Sequence, residues 1–400
     1  MKGVIILLGI ILVLLLMYLI SSKKKDIKMS IVAKAMIAQF VIAILLVKFP
    51  YGRIVVSKIS QVVIEVLNYG FNGLSFVFGS LADPGQATGF IFVVTVLGNI
   101  VFLSALVSAL FYLGVLGFVV KIIGKVVGKF LGTSQVESFV AVANMFLGQT
   151  ESPILVSKYL GSMTQSEIMV VLVSGMGSMS ATIIGGYVAL GIPMEYLLIA
   201  SALVPLGSIA ISKILLPETE KAEFIEDVSM DRKGHHENII SAVTEGAVNG
   251  MSAAIAIAAS LIAFISLTAL INGVLGIFGC SLEKIFSYVF SPIGYFMGLD
   301  GNNIFLAGEL LGYKLVLNEF IAFQKLGQLI QALDYRTGLI ISIALAGFAN
   351  FSSMGICISG ISVLCPEKRS VLARLAFKAM IGGFTVSVLS AMIVAFITAL

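Results

Sequence analysis

Six consecutive residues, Gly148-Gln149-Thr150-Glu151-Ser152-Pro153, set a carboxamide, a hydroxyl and a carboxylate beside a proline. Proline removes a backbone donor and glycine loosens a helix, so the chain is expected to unwind here and expose main-chain polar groups. Two other stretches have the same character: Leu317-Asn318-Glu319-Phe320 and Gly347-Phe348-Ala349-Asn350-Phe351-Ser352-Ser353. Together they offer two carboxylates, several carboxamides and several hydroxyls, with Phe348 and Phe351 alongside. That set suits a neutral polyhydroxy ligand that also has a flat face. Sugar hydroxyls donate to carboxylates, and a planar base stacks on a ring and pairs with an amide. Purely structural glutamates and serines would instead satisfy neighbouring donors and their own helix. Two glutamates at matching places of a repeated pattern favour binding.

The elements that must position these groups are membrane helices. The chain has 400 residues, of which 59% are hydrophobic and only 12% charged, and its mean hydropathy is +1.09. A soluble chain carries about twice that charged fraction. The apolar runs are about 18 to 25 residues long, the length of spanning helices and not of barrel strands. A charged residue at mid-membrane costs from about 3 kcal/mol on insertion scales to above about 10 in simulations, so Glu151 and Glu319 imply a use. Unwound backbone at that depth is tolerated only where it lines a cavity or is covered by protein.

Spans are expected at 3–20, 30–48, 88–119, 166–190, 194–215, 240–279, 337–363 and 371–398, eight crossings in all. The run 3–20 lacks a small-x-small cleavage site and reads as a first helix, not a signal peptide. Lys23, Lys24, Lys25 and Lys28 then belong on the cytoplasmic side, which puts both termini outside. The stretch 51–82 mixes Arg53, Lys58, Glu65, Asn68 and Asn72 with apolar residues, as a helix on the outer surface or against a neighbouring subunit would. Ala82-Asp83-Pro84-Gly85 reads as a turn. Lys121, Lys125 and Lys129 recur at helical spacing, a basic amphipathic helix at the cytoplasmic surface. The segment 217–238 is the one clearly soluble loop.

From 134 the apolar runs become too short to cross: 138–147, the six-residue tip, then 154–160. This describes a re-entrant hairpin. Thr164-Gln165-Ser166-Glu167 is a capping box that starts the next helix. That helix carries Ser174-Gly175-Met176-Gly177-Ser178-Met179-Ser180-Ala181-Thr182 at its middle, small residues that serve either a site or close helix packing. Residues 300–331 form a second hairpin with Glu319 at its tip, followed by a helix broken at 347–353 and a plain one. Hairpin, broken helix and plain helix thus occur twice, separated by an odd number of crossings. Inverted repeats with discontinuous helices are the plan of many secondary transporters.

Other chemistries find little support. There is no HExxH and no GxSxG, and Asp83, Asp300 and Asp334 lie at segment ends, so an enzyme is not expected. Cys280, Cys357 and Cys365 have no CxxC spacing. His235 and His236 form a solvated pair in a polar loop. The net charge of +4 comes from loop lysines and implies no nucleic-acid partner.

The tip Gly148-Gln149-Thr150-Glu151-Ser152-Pro153 closely resembles the hairpin motif of the concentrative nucleoside transporters. The resemblance continues through Pro217-Glu218-Thr219-Glu220-Lys221, Ala269-Leu270-Ile271-Asn272-Gly273, Val316-Leu317-Asn318-Glu319-Phe320, Gly347 to Ser353 and Pro366-Glu367-Lys368-Arg369. It implies an all-α integral membrane protein of the bacterial cytoplasmic membrane, a homotrimer of eight-helix protomers. Each protomer would have two re-entrant hairpins and a transport domain moving against a scaffold. Scaffold helices would fill 1–119, the first transport repeat 120–216, a cytoplasmic loop and scaffold helix 217–299, and the second repeat 300–400. Gln149, Thr150 and Glu151 would contact a nucleobase, with Ile183 lining its pocket and Phe348 against the substrate. Glu319, Asn350 and Ser353 would hold the ribose. A sodium ion would take the side chains of Asn144 and Ser178 and the carbonyls of Leu147 and Met179. Its neutral oxygen shell suits a monovalent cation. A proton carried by Glu151 or another acid is the alternative coupling ion, and a passive channel the alternative transport class.

Overall fold

The computed structural model describes residues 2–400 apart from 84, 86–88, 221–224, 226, 227 and 229–236. His235, His236 and Lys221, Pro84 of the expected turn, and much of the 217–238 loop therefore lie outside the described residues. Every regular element among the described residues is helical.

The chain opens with α1 (Lys2–Leu19), α2 (Met29–Val47) and α3 (Pro50–Phe78). A π-helical turn, Val93–Leu97, leads into α4 (Gly98–Tyr112), and α5 spans Val115–Leu131. Then come α6 (Gln135–Ala143), a 3-10 turn (Ser152–Val156), α7 (Ser157–Leu160), α8 (Gln165–Gly177), α9 (Ala181–Ala189) and α10 (Met194–Leu215). The second part holds α11 (Ile239–Gly276), α12 (Leu282–Phe296), α13 (Asn302–Val316) and α14 (Glu319–Leu329). It ends with α15 (Tyr335–Leu345), α16 (Phe351–Leu364) and α17 (Arg369–Ala399).

Eight stretches among the described residues are long and apolar enough to cross a membrane, by length and composition. They divide by burial. Gln165–Ala189, Met194–Leu215 and Pro366–Ala399 are 89%, 89% and 83% buried within the protein, whereas Pro50–Ala82 and Ile239–Gly276 are each 17% buried. The first group is the buried core, and the second group is mostly exposed at its outside.

One of the eight lies outside the expected set. The stretch 50–82, expected on the outer surface, is long and apolar enough to be one of them. Only a narrow stripe of α3 (Val56, Ser60, Leu67, Gly70 and Leu74) is buried, and its polar and apolar residues alike face outward. The stretch 337–363, expected as a crossing broken at 347–353, has that break: it forms two helices of 11 and 14 residues, neither long enough by itself to be among the eight. The span expected over 88–119 stops at Tyr112, because Gly114 takes a left-handed φ of 79° and turns the chain into α5.

Local chemistry explains how the short elements are held. Thr164 and Glu167 form the expected capping box at the start of α8, and Ser134 with Glu137 forms another at the start of α6. The face of α5 that carries Gly124 and Gly128 meets α6 so closely that a Cβ at Gly124 would lie 3.0 Å from the Phe139 Cα. At nine residues, roughly 13 Å, α6 is less than half a bilayer core in length.

Candidate functional site

Three interruptions converge. Between α8 and α9 the backbone is extended over Ser178 and Ser180, and the Ser180 hydroxyl accepts the Thr182 N–H at the start of α9. Between α15 and α16 it is extended at Ala346 and Asn350, where the Asn350 Oδ1 accepts the Ser353 N–H at 2.8 Å. Between α13 and α14 it is extended at Asn318, whose Oδ1 accepts the Ile321 N–H at 3.0 Å. Each polar residue thus does local work as a helix cap, which is why the helix restarts there. Gly347, at φ 130°, brings the second break against the first: a Cβ would lie 2.7 Å from the Gly177 carbonyl oxygen.

A cavity of about 460 Å³ lies where these elements meet. All eight expected substrate residues line it: Gln149, Thr150, Glu151, Ile183, Glu319, Phe348, Asn350 and Ser353. Glu319 accepts two side-chain hydrogen bonds in it. Its Oε2 accepts Asn350 Nδ2 at 3.1 Å and its Oε1 accepts the Tyr187 hydroxyl at 3.2 Å. Tyr187 itself is held by the Phe320 and Phe323 rings, with centroids 4.9 and 4.4 Å away. On the other side, Gln149 Nε2 donates to the Ser353 hydroxyl at 3.4 Å, and the Cys357 thiol donates to Gln149 Oε1 at 3.2 Å. Glu151 turns back on its own tip, where one carboxylate oxygen accepts the Gly148 N–H at 3.0 Å.

Asn144, Leu147, Ser178 and Met179 do not line the cavity. They sit beside it, each at most 5% exposed, where the end of α6 meets the end of α8. Asn144 Oδ1 accepts the Ser152 hydroxyl at 2.8 Å, and its Nδ2 donates to the Val140 carbonyl and the Ser174 hydroxyl. The Ser178 hydroxyl donates to the Gly175 carbonyl at 3.1 Å. These four residues present only neutral oxygens in a buried place, a donor set that fits a monovalent cation and not a divalent one.

Sequence reasoning missed one wall of the cavity. Ser252, Ala256, Ser260 and Phe264 of α11 line it, and they follow one another at four-residue intervals. That spacing, which puts Ser252, Ala256 and Ser260 along one face of the helix with Phe264 at its end, is the signal that marks the face. Tyr187 was missed as well, since a tyrosine inside an apolar run reads as packing.

The comparisons with known proteins agree with one another. A family model described as the Na+ dependent nucleoside transporter C-terminus matches residues 196–395, its N-terminal companion matches 8–81, and a nucleoside recognition model matches 93–194. An uncharacterized transporter of Haemophilus influenzae is 39% identical over 96% of this chain and 95% of its own length. The nucleoside permease NupC of Helicobacter pylori is 34% identical over 96% of this chain and 95% of its own. Among solved structures, CNTnw in an inward-facing substrate-bound state is 36% identical, with a TM-score of 0.94 over 99% of both chains. A variant of CNTnw in an outward-facing state is also 36% identical, with a TM-score of 0.95 over 100% of this chain and 99% of that one.

Proposed function

The chain belongs to the family of Na+ dependent nucleoside transporters, and from that premise we propose that it is a cation-coupled nucleoside symporter that works by alternating access. The relatives are permeases and transporters, and the protein is not an enzyme. The observation that carries the reading is the pairing of Glu319 with Asn350 and of Gln149 with Ser353 across one cavity. The first pair lies among the groups suited to ribose hydroxyls, and the second joins Ser353 of that set to Gln149, suited to a base edge.

In this mechanism Glu319 accepts hydrogen bonds from the ribose hydroxyls, with Asn350 and Tyr187 holding its carboxylate in place. Gln149, Thr150 and Glu151 meet the base edge, and Phe348 and Ile183 cover its faces. Sodium travels as a second substrate through the buried oxygens of Asn144, Leu147, Ser178 and Met179. Because Asn144 accepts from Ser152, a ligand there ties α6 to the tip that carries Gln149 and so orders the first hairpin. One charge moved through 100 mV supplies about 2.3 kcal/mol, roughly a 50-fold concentration ratio. The series α4 to α10 recurs in order as α11 to α17, which supports an inverted repeat with two re-entrant hairpins, the divisions 120–216 and 300–400 as transport repeats, and 1–119 and 217–299 as scaffold.

We further read the protein as a homotrimer in a bacterial cytoplasmic membrane, with both termini outside because Lys23, Lys24, Lys25 and Lys28 belong on the cytoplasmic side. The sparsely buried α3 and α11 supply the outward apolar surface that lipid and neighbouring subunits require. Uptake of labelled uridine into proteoliposomes, with an inward sodium gradient and then with a proton gradient alone, tests the proposal. Sodium-driven accumulation above the external concentration is expected. Accumulation driven equally by protons would transfer the coupling to Glu151, and equilibration without accumulation would make the protein a channel.

A further inference from the structure

Lys314 has no place in the mechanism above. It lies in the last turn of α13 and is completely buried. Among the described residues no carboxylate forms an ion pair with it. Its ammonium instead donates to the Ala344 carbonyl and to the Ser387 hydroxyl, both at 2.9 Å, and stands 5.5 Å from the centre of the Phe384 ring. The Ser387 hydroxyl donates onward to the Ala346 carbonyl at 2.6 Å. The ammonium thus meets neutral oxygens and an aromatic face directly, the kind of shell a bound alkali cation takes, while the Glu319 carboxylate acts on it through space without pairing.

The position matters as much as the shell. Ala344 and Ala346 are the last carbonyls of α15, at the break before α16. The end of a helix leaves carbonyls without intrahelical partners and carries partial negative charge. In the first copy the corresponding elements are α6 and α8, and there Asn144 and Ser178, at the ends of those helices, frame the buried oxygen set proposed for sodium. Around Asn144 the oxygens are met only by neutral groups, the Ser152 hydroxyl among them, whereas the Ala344 carbonyl is met by the Lys314 ammonium.

We infer that Lys314 is a tethered cation that holds the end of α15 against α13 and α17 as the mobile ion holds α8 against α6. The second copy then offers no site to a free ion, and one cation travels with each nucleoside. The inference rests on the proposed role of the Asn144 pocket only in this stoichiometric part; the holding role stands on the Lys314 contacts alone.

The test uses the full-length protein in nanodiscs, with uridine binding measured in saturating sodium. Lys314→Met keeps the stem and removes the charge, and it should weaken uridine binding about tenfold or more, since two charge-assisted hydrogen bonds are lost. Lys314→Ala should bind as weakly, and methylammonium, supplied from solubilisation onward, should restore it while choline does not. Wild-type binding by Lys314→Met would overturn the inference. So would a Lys314→Ala protein that methylammonium fails to rescue, including one that never gives a monodisperse folded species in its presence. In proteoliposomes of the wild-type protein the sodium dependence of uridine uptake should show a Hill coefficient of about 1, and a coefficient of about 2 overturns the stoichiometric part. Asn144→Ala separates the two readings. If it leaves sodium dependence unchanged, the Asn144 pocket fails while methylammonium rescue at position 314 still stands or falls independently.

Discussion

The Phe348 amide donates to the Ser178 carbonyl at 3.1 Å. This bond joins the break between α15 and α16 to the break between α8 and α9, so the two discontinuous helices cannot shift independently. Ser178 belongs to the proposed cation shell and Phe348 lines the substrate cavity. We propose that occupancy on one side of the bond biases the other through this peptide contact.

Gly347 makes that contact possible. Its φ of 130° is open to glycine and strained for any L side chain, and the Gly177 oxygen stands where a Cβ would go. Gly347→Ala should cost on the order of 1–3 kcal/mol from the backbone strain, with the crowding against Gly177 added to it. A lowered thermal midpoint, together with lost sodium stimulation of uridine binding, is the expected result; a midpoint unchanged within error would refute it.

Glu319 and Tyr187 separate charge from orientation. Glu319→Gln keeps the size but turns one accepting oxygen into a donor, and uridine uptake should fall below detection while the protein inserts normally. Tyr187→Phe removes one neutral hydrogen bond worth about 0.5–1.5 kcal/mol. Uptake should survive with KM raised a few-fold and kcat little changed. Equal effects from the two substitutions would mean that Glu319 serves packing alone.

How much of this was legible in the chain depended on whether a residue's chemistry contrasts with its surroundings. Glu151, Glu319 and Asn350 stand out because charge and amide are costly in a bilayer. The Thr164–Glu167 box was legible because it is local, with both of its bonds closing within four residues. Ser252, Ala256 and Ser260 were not, since small residues in an apolar helix serve helix packing equally well. Gly246 and Gly250 of the same helix do pack, against Ser104 and Ser108 of α4. The path of α3 was not legible either, because a mixed sequence describes a surface helix and a sparsely buried long helix alike. Lys314 escaped notice because its partners, Ala344 and Ser387, are 30 and 73 residues away and neither is charged.

Sodium dependence should respond to the buried oxygens one at a time. Asn144→Ala removes an oxygen and also orphans the Ser152 hydroxyl that donates to it. Ser178→Ala removes one neutral ligand and a single bond to Gly175. Both should raise the sodium concentration for half-maximal uptake, Asn144→Ala by about tenfold or more and Ser178→Ala by less, with maximal uptake at high sodium retained best by Ser178→Ala. Sodium titrations of uridine uptake in proteoliposomes check the order, and an unchanged half-maximal concentration in both variants would remove these residues from the cation shell.

The α11 face provides a test of motion. Ala256 lines the cavity between Ser252 and Ser260, one helical turn from each. If the core built on α8, α10 and α17 carries substrate past α11, the face must stay smooth along the whole path, not only where substrate rests. Ala256→Ser keeps the face smooth and should transport normally. Ala256→Trp puts a large ring into the path from the α11 side of the cavity. Uridine uptake should then fall at least about tenfold, whereas sodium-dependent uridine binding, measured on the purified protein, should change by less than about threefold, because a block to movement acts on turnover and not on affinity. Loss of binding and uptake in equal measure would show that the ring merely fills the cavity, and the sliding role of α11 would have to be abandoned.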